Sequence, residues 1–97
     1  MKIEYSDHIE KRLRLRRIDR DLPEKIFEQA QERYFDNATG HLIAVMNVDL
    51  YNKQRDVMIA YVTDEKRTTL LTIHPLKYGQ RENRVLNGRW KKSDEKL

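Results

Sequence analysis

Three side chains near the start of the sequence have the types and the spacing of an anion-binding site. His8, Arg12 and Arg16 follow one another at intervals of four residues, which in a helix aligns them along one edge. Guanidinium groups bind phosphate through several donors, and an imidazole beside them can transfer a proton near neutral pH. The group therefore predicts a phosphate clamp with an adjacent titratable histidine. The alternative interpretation is structural: the two arginines form ion pairs with carboxylates of a following helix, such as Glu28 or Glu32, and the histidine only helps to fix the start of its own helix.

A second polar group surrounds the end of a predicted strand. Thr72, His74 and Lys77 lie on either side of Pro75, and side chains at such a strand end can reach over the edge of a sheet into a cleft. In a ribonuclease that works without a metal ion, a histidine or lysine takes the proton of the 2′-hydroxyl or protonates the leaving oxygen. His74 and Lys77 are therefore candidate catalytic residues. The alternative is a surface histidine that simply follows a strand.

Further candidates lie in the basic C-terminal segment. Arg81 and Arg84 are three residues apart and can share one face of a helix. Arginines stabilise the negative charge of a phosphate, so both residues, together with Arg89, are candidate RNA or phosphate ligands. Trp90 can stack on a nucleobase, or it can instead close the hydrophobic core.

The composition favours a polyanionic partner. The 97 residues suit one domain with a modest core, and 20 Lys and Arg against 16 Asp and Glu give a net charge of +4. The excess cations are concentrated between positions 11 and 20 and between positions 77 and 92. A basic surface of this kind attracts nucleic acid, so RNA is a candidate partner.

Several classes of site and location are disfavoured. The chain has no cysteine, which excludes disulfides, thiolate metal sites and a cysteine nucleophile. The three histidines are scattered along the sequence, and we expect neither a metal nor another cofactor. The start of the chain lacks the pattern of a signal peptide, and no apolar run approaches the ~20 residues of a membrane span. We therefore expect a cytoplasmic protein without a membrane partner.

The first predicted elements along the chain are a short strand at 2–5 and two helices, which position the N-terminal candidate residues. Asp7 and Glu10 have the spacing of a capping box and predict a helix from 7 to about 17. Asp21 and Pro23 form a second start signal, after which apolar residues recur every four positions as far as Tyr34. This pattern predicts a second helix over 21–34.

The rest of the predicted fold is a sheet. Alternating apolar residues over 42–50, and apolar runs over 57–62 and 68–74, predict three consecutive antiparallel strands. Pro75 should end the last strand, because proline has no N–H to donate. The expected fold is α+β, with two N-terminal helices packed on an antiparallel sheet of three to four strands. Residues 1–90 should form one domain and residues 91–97 a basic, frayed tail.

Short motifs at both ends of the chain resemble a known family. The N-terminal ones are Tyr5-Ser6-Asp7-His8, Glu10, Arg12, Arg17-Ile18 and Leu22-Pro23, and the C-terminal ones are Thr72-Ile73-His74-Pro75-Leu76-Lys77 and Gly88-Arg89-Trp90. In these motifs the chain resembles the small bacterial proteins of the DUF4258 family, which open with a helix that contains a histidine and an arginine. That family is similar in layout to the RelE/ParE-like toxin superfamily, whose members often cleave messenger RNA on the ribosome.

The resemblance implies a metal-independent ribonuclease toxin, or a degenerate relative, with a cognate antitoxin as a possible partner. Sites of the superfamily use arginine, lysine, tyrosine or histidine from the sheet and the C-terminal segment. The residues that match this description are Tyr61, His74, Lys77, Arg81 and Arg84. His8 and Arg12 match the helix of the DUF4258 family instead.

Three functional hypotheses follow from the sequence. The first is a toxin-like protein that binds or cleaves RNA by acid/base chemistry without a metal. The second is a non-catalytic basic binding module of a toxin–antitoxin or ribosome-associated system, which contacts phosphates with the same surface. The third is a structural interaction protein that pairs through an exposed strand or the acidic second helix. The oligomeric state stays open under all three.

Overall fold

This computed structural model describes residues 2–93. The described residues contain six strands and three helices. In chain order they are β1 (Lys2–Tyr5), α1 (Asp7–Arg16), α2 (Leu22–Gln29), β2 (Glu32–Asp36), β3 (Leu42–Leu50), β4 (Lys53–Thr63), β5 (Arg67–Pro75), α3 (Gln80–Leu86) and β6 (Trp90–Lys92).

The strands form one mixed sheet in the order β1-β5-β4-β3-β2-β6. The predicted antiparallel unit of β3, β4 and β5 is confirmed. β1 runs parallel to the first half of β5, from Lys2 opposite Arg67 to Tyr5 opposite Leu70, and β2 and β6 extend the other side. The α+β class is confirmed. The predicted sheet of three to four antiparallel strands is wrong, because the described residues form six strands and one pair is parallel.

The N-cap of helix α1 lies one residue before Asp7, the residue that the capping box indicates. Ser6 is the N-cap, and its hydroxyl accepts a hydrogen bond from the backbone N–H of Ile9 at 3.1 Å. Ile9 and Leu13 form the buried stripe of the helix. The helix ends at Arg16, and its C-cap residue Arg17 adopts a left-handed conformation with φ of 54°. The other faces of α1 therefore remain available for its arginines.

Helix α2 is shorter than predicted. Pro23 lies in its first turn, but Ala30 is already extended, with φ −62° and ψ 133°. The apolar recurrence that extends to Tyr34 is misleading, because Tyr34 belongs to β2 and pairs with Ile43 of β3. Pairing with β3 supplies the backbone partners that another helical turn would have supplied.

The two faces of the sheet are covered differently. Helices α1 and α2 pack on one face and form the larger core, which includes Ile9, Leu13, Ile26, Phe27, Ile59, Tyr61, Leu70 and Ile73. The opposite face carries a smaller buried cluster of Tyr34, Ile43, Val45, Met58, Ala60 and Trp90, against which Leu76 packs. We call the first the helix face and the second the open face.

The C-terminal segment contributes an edge strand. Trp90 lies opposite Asp36 and Lys92 opposite Tyr34 in the β2–β6 pair. The predicted frayed tail is therefore wrong for Lys91 and Lys92, because they pair with the free edge of β2. The rest of that tail, residues 94–97, lies outside the described residues. Trp90 is only 1% exposed and stacks on Tyr34 at 5.3 Å, so it closes the core and does not offer its ring to a nucleobase.

Candidate functional site

A cleft of about 1050 Å³ lies over the end of β5. Arg12 and Arg16 line it from α1, and the residues that lead into α3 line it from the other side. Pro75 ends the strand, and the N–H of Leu76 donates to the carbonyl of Asp56 at 2.8 Å. This bond fixes the course of the chain after His74, so that residues of α1 and β5 face the same cleft.

The contact between Arg12 and His74 is the centre of this cleft. Arg12 Nε donates to the carbonyl of Ile73 at 2.8 Å, and its terminal NH2 group lies 2.5 Å from Nδ1 of His74. β1 pairs with β5 only as far as Leu70, which leaves the Ile73 carbonyl on a free edge within reach of α1. A guanidinium can only donate, so Nδ1 accepts and the ring proton of the neutral histidine is on Nε2.

The surroundings keep His74 uncharged at neutral pH. Burial is the largest cause, the nearby charges of Arg12 and Arg16 add to it, and together they lower the pKa of His74 to about 4. The pKa of Arg12 is also lowered, first by burial and then by the charge of Arg16. Cationic groups that disfavour one another in this way are stabilised by an anion between them.

Five basic side chains of the cleft have no acidic partner. In residues 2–93, no carboxylate lies within ion-pair distance of any of them. The five are Arg12, Arg16, Lys53, Arg55 and Lys77. Sequence reasoning missed Lys53 and Arg55, which follow the turn after β3; the polar character of that turn was visible, but its position beside α1 was not.

Arg81 lines the same cleft but is neutralised there. Its guanidinium lies 3.0 Å from Glu32, 3.3 Å from Asp56 and 3.0 Å from Glu82. The hydrogen bond to Glu82 is the largest cause that raises its pKa. A phosphate would have to compete with these carboxylates, so the contacts of Arg81 do not support its predicted role. Glu32 is also the residue that sequence analysis offered as a partner for the arginines of α1, and no ion pair joins them within the described residues.

Arg89 and Arg84 lie on the other side of the sheet. Arg89 forms a bidentate pair with Asp36, with both contacts at 3.0 Å. Burial alone would raise the pKa of Asp36, but hydrogen bonds from Arg89 and from the N–H of Ala38 outweigh it and lower the pKa to about 2. Arg89 therefore holds a buried carboxylate. Arg84 lies over the ring of Trp90, 5.3 Å from its centroid.

Tyr61 is not in the site. Its side chain is fully buried on the helix face, where its ring packs edge-on against Phe27 at 5.0 Å and its hydroxyl accepts from Arg33 at 3.2 Å. The burial of Tyr61 does not support its predicted catalytic role, because RNA would have to open the core to reach it.

The structure brings together most of the other predicted residues. His8 is exposed on α1 one turn before Arg12, but it is not among the residues that line the cleft. Lys77 lines the cleft beyond the end of β5. The group that comprises His8, Arg12, Arg16, His74 and Lys77 is named the β5 cluster below.

No family model, curated protein or solved structure matches this chain. The resemblance to the DUF4258 family therefore stays a prediction. Within residues 2–93, no helix is both long enough and apolar enough to cross a membrane. The same residues contain no grouping of three or more histidines and carboxylates that could hold a metal ion.

Proposed function

We propose that the protein binds RNA through a backbone phosphate at the β5 cluster and cleaves it without a metal ion, as a toxin-like ribonuclease related to the DUF4258 and RelE/ParE-like proteins. One observation carries the proposal: Arg12 contacts an uncharged His74 within a cleft where every lysine and arginine except Arg81 lacks a carboxylate partner among the described residues. A phosphodiester would supply the missing negative charge.

The cluster contains the groups that RNA cleavage needs. Arg12 and Arg16 are placed to bind the phosphate, and Nε2–H of His74 can donate to one of its oxygens. In the reaction the 2′-oxygen attacks phosphorus, a base takes the 2′-proton, and an acid gives a proton to the departing 5′-oxygen. His8 is exposed one turn from Arg12, which suits it to one of these two proton transfers.

Binding of a phosphate would also change His74. When Arg12 turns from Nδ1 to the phosphate, that nitrogen becomes free, and the negative charge offsets the nearby cations. The pKa of His74 should then rise from about 4 toward its ordinary value of 6.5. His74 can act as the second acid or base only in this bound state, so catalysis is coupled to binding.

A non-catalytic binding module is the second candidate. Arg12 occupies Nδ1 of His74, and a histidine with a pKa of about 4 is a weak base at neutral pH. If RNA does not displace Arg12, the same cleft binds phosphate without chemistry. A cognate antitoxin is a possible partner under either function.

The deciding experiment is induced expression in a bacterial host of wild type, His8→Ala, His74→Ala and the control Arg14→Ala. Arg14 is exposed on α1 outside the β5 cluster, so its loss removes one positive charge without altering the cleft. We expect growth arrest and new RNA ends with wild type and Arg14→Ala, and neither effect with at least one histidine variant at equal protein level. The purified protein should also cleave RNA in excess EDTA.

A binding measurement separates the two candidates. Normal growth and intact RNA in all strains, together with RNA affinity that falls steeply with salt, would identify the binding module. RNA affinity that is absent at low salt would refute both functions.

A further inference from the structure

A second cavity, of about 410 Å³, lies on the open face of the sheet beside α3. Its floor is formed by side chains of β3, β4 and β5, namely Ile43, Met58, Ala60 and Thr72, and Arg84 lines it from α3. The volume is within the range of small-molecule sites, roughly 300–1,000 Å³. We call it the open-face cavity.

This cavity adjoins the cleft of the β5 cluster. The segment from His74 to Lys77 lines both spaces. His74 lies opposite Met58 in the β4–β5 pair and thus shares the open face, while its Nδ1 contacts Arg12 from α1. A ligand with a phosphate at Arg12 therefore has a recess with a partly apolar floor and a polar rim within reach beyond the segment from His74 to Lys77.

The residues that line the cavity can make the two kinds of contact that bind a nucleobase, apolar packing and hydrogen bonding. Ile43, Met58 and Ala60 provide an apolar surface for the flat face of a base. Thr72 lines the cavity, and its Oγ1 is buried without a hydrogen-bond partner within residues 2–93. A hydroxyl donates and accepts, so it can pair with the polar edge of a base.

We propose that the open-face cavity binds one base of the RNA strand whose phosphate lies at the β5 cluster, and that Thr72 contributes to the choice of base. This inference rests on the proposed function and adds a specificity site to it. The strand passes over the segment from His74 to Lys77, with its backbone on the cationic side and one base on the apolar side. The cavity thus explains how a protein with a general phosphate site can still select a sequence.

The test compares hexanucleotides with and without a base. The probes are 2′-O-methyl homohexamers of each base, which cannot be cleaved through the 2′-oxygen, and an abasic hexamer of equal charge, all at one salt concentration. We expect the best homohexamer to bind about tenfold more tightly than the abasic strand, the effect of burying a single base. In NMR spectra it should shift the methyl signals of Ile43, Met58 and Ala60, and the abasic strand should not.

Three variants locate the effect. Ala60→Leu fills the floor and should reduce the affinity for the homohexamer to that of the abasic strand, without changing the latter. Thr72→Val keeps the shape of the side chain and should change the ratio of affinities among the four homohexamers. The control is Val62→Leu, at a partly exposed position of β4 that does not line the cavity. It should leave all of these affinities unchanged. If Ala60→Leu does not fold, Thr72→Val and the methyl shifts decide the question.

The possible failures differ. Equal affinity for base-containing and abasic strands would overturn the cavity assignment and leave RNA binding intact. Absence of binding by any strand at low salt would overturn the proposed function and this inference with it. A nucleoside monophosphate that binds as tightly as a hexamer would show that the ligand is a free nucleotide and not a strand.

Discussion

Replacing Arg12 by glutamine should raise the pKa of His74. The guanidinium of Arg12 lies 2.5 Å from Nδ1, and its charge is the largest cause after burial that keeps this pKa at about 4. Glutamine keeps a donor but removes the charge. We expect the pKa to move toward 6.5 without reaching it, since burial and the charge of Arg16 remain.

The same two pKa values give the size of the effect of His74 on the free energy of unfolding. The difference between 6.5 and about 4 corresponds to ~3 kcal/mol, at about 1.4 kcal/mol for each tenfold change in proton affinity. Because the His74 ring is partly exposed, solvent screening reduces this figure, and we expect ~1–1.5 kcal/mol.

The sign follows from the proton affinities of the two states. The unfolded chain binds the proton near pH 6.5, whereas the folded chain binds it only near pH 4. The contribution of His74 to the free energy of unfolding is therefore constant above pH 6.5 and falls as the pH drops from 6.5 to 4. In Arg12→Gln the fall should be smaller.

The assay is an NMR titration of the histidine Cε1–H signals, with urea unfolding between pH 5 and 8 in parallel. Arg14→Gln is the matched control and should titrate like wild type. Addition of inorganic phosphate or RNA to wild type should raise the pKa of His74. A wild-type pKa at or above 6.5, or one that Arg12→Gln leaves unchanged, would refute the electrostatic reasoning and remove the main support for the β5 cluster.

Three further predictions concern stability. Arg89→Leu leaves the buried Asp36 carboxylate without its bidentate partner, and urea unfolding at pH 7 should show a loss of ~2–4 kcal/mol; a loss below ~1 kcal/mol would contradict this. Tyr61→Phe removes one of the two acceptors of Arg33 within residues 2–93, the other being the Phe27 carbonyl. It should cost ~1–2 kcal/mol and leave RNA binding unchanged, whereas reduced RNA binding by a folded variant would contradict the exclusion of Tyr61 from the site. Arg17→Gly relieves a positive φ of 54° and should stabilise the protein by ~0.5–1 kcal/mol, detectable as a higher midpoint of thermal unfolding.

The central strands were predictable because their side chains repeat with the period of the sheet. One face of β3 is apolar over all nine residues while the other becomes polar toward the end, and Pro75 marks the end of β5 where the structure also ends it. Helix α1 was predictable for similar reasons, since Ile9 and Leu13 define one buried stripe and polar residues surround it.

The outer strands were not predictable from periodicity. β2 continues the four-residue spacing of the helix before it, and only pairing with β3 makes Tyr34 a strand residue. β6 has three residues, too few to display a period, and owes its structure to the free edge of β2. Tertiary pairing overrides local preference in both cases.

The candidate site, like the fold, could be predicted only in part from the sequence. The spacing of His8, Arg12 and Arg16 predicted that they lie along one edge of a helix. The position of His74 at the end of a predicted strand indicated that its side chain could reach a cleft. The ion pairs that neutralise Arg81 involve Glu32 from β2 and Asp56 from β4. Such contacts depend on strand order, which the sequence did not indicate.

The two outermost strands of the sheet, β1 and β6, come from opposite ends of the described chain. During synthesis, β1 leaves the ribosome first but cannot pair until residues 67–70 have followed it. The outer edge of β2 likewise stays open until residues 90–92 appear. Because an unpaired strand edge is a template for aggregation, trimming at either end should first be seen as poor recovery of soluble protein. Affinity tags therefore belong beyond β1 and β6, joined through flexible linkers that leave both pairings free to form.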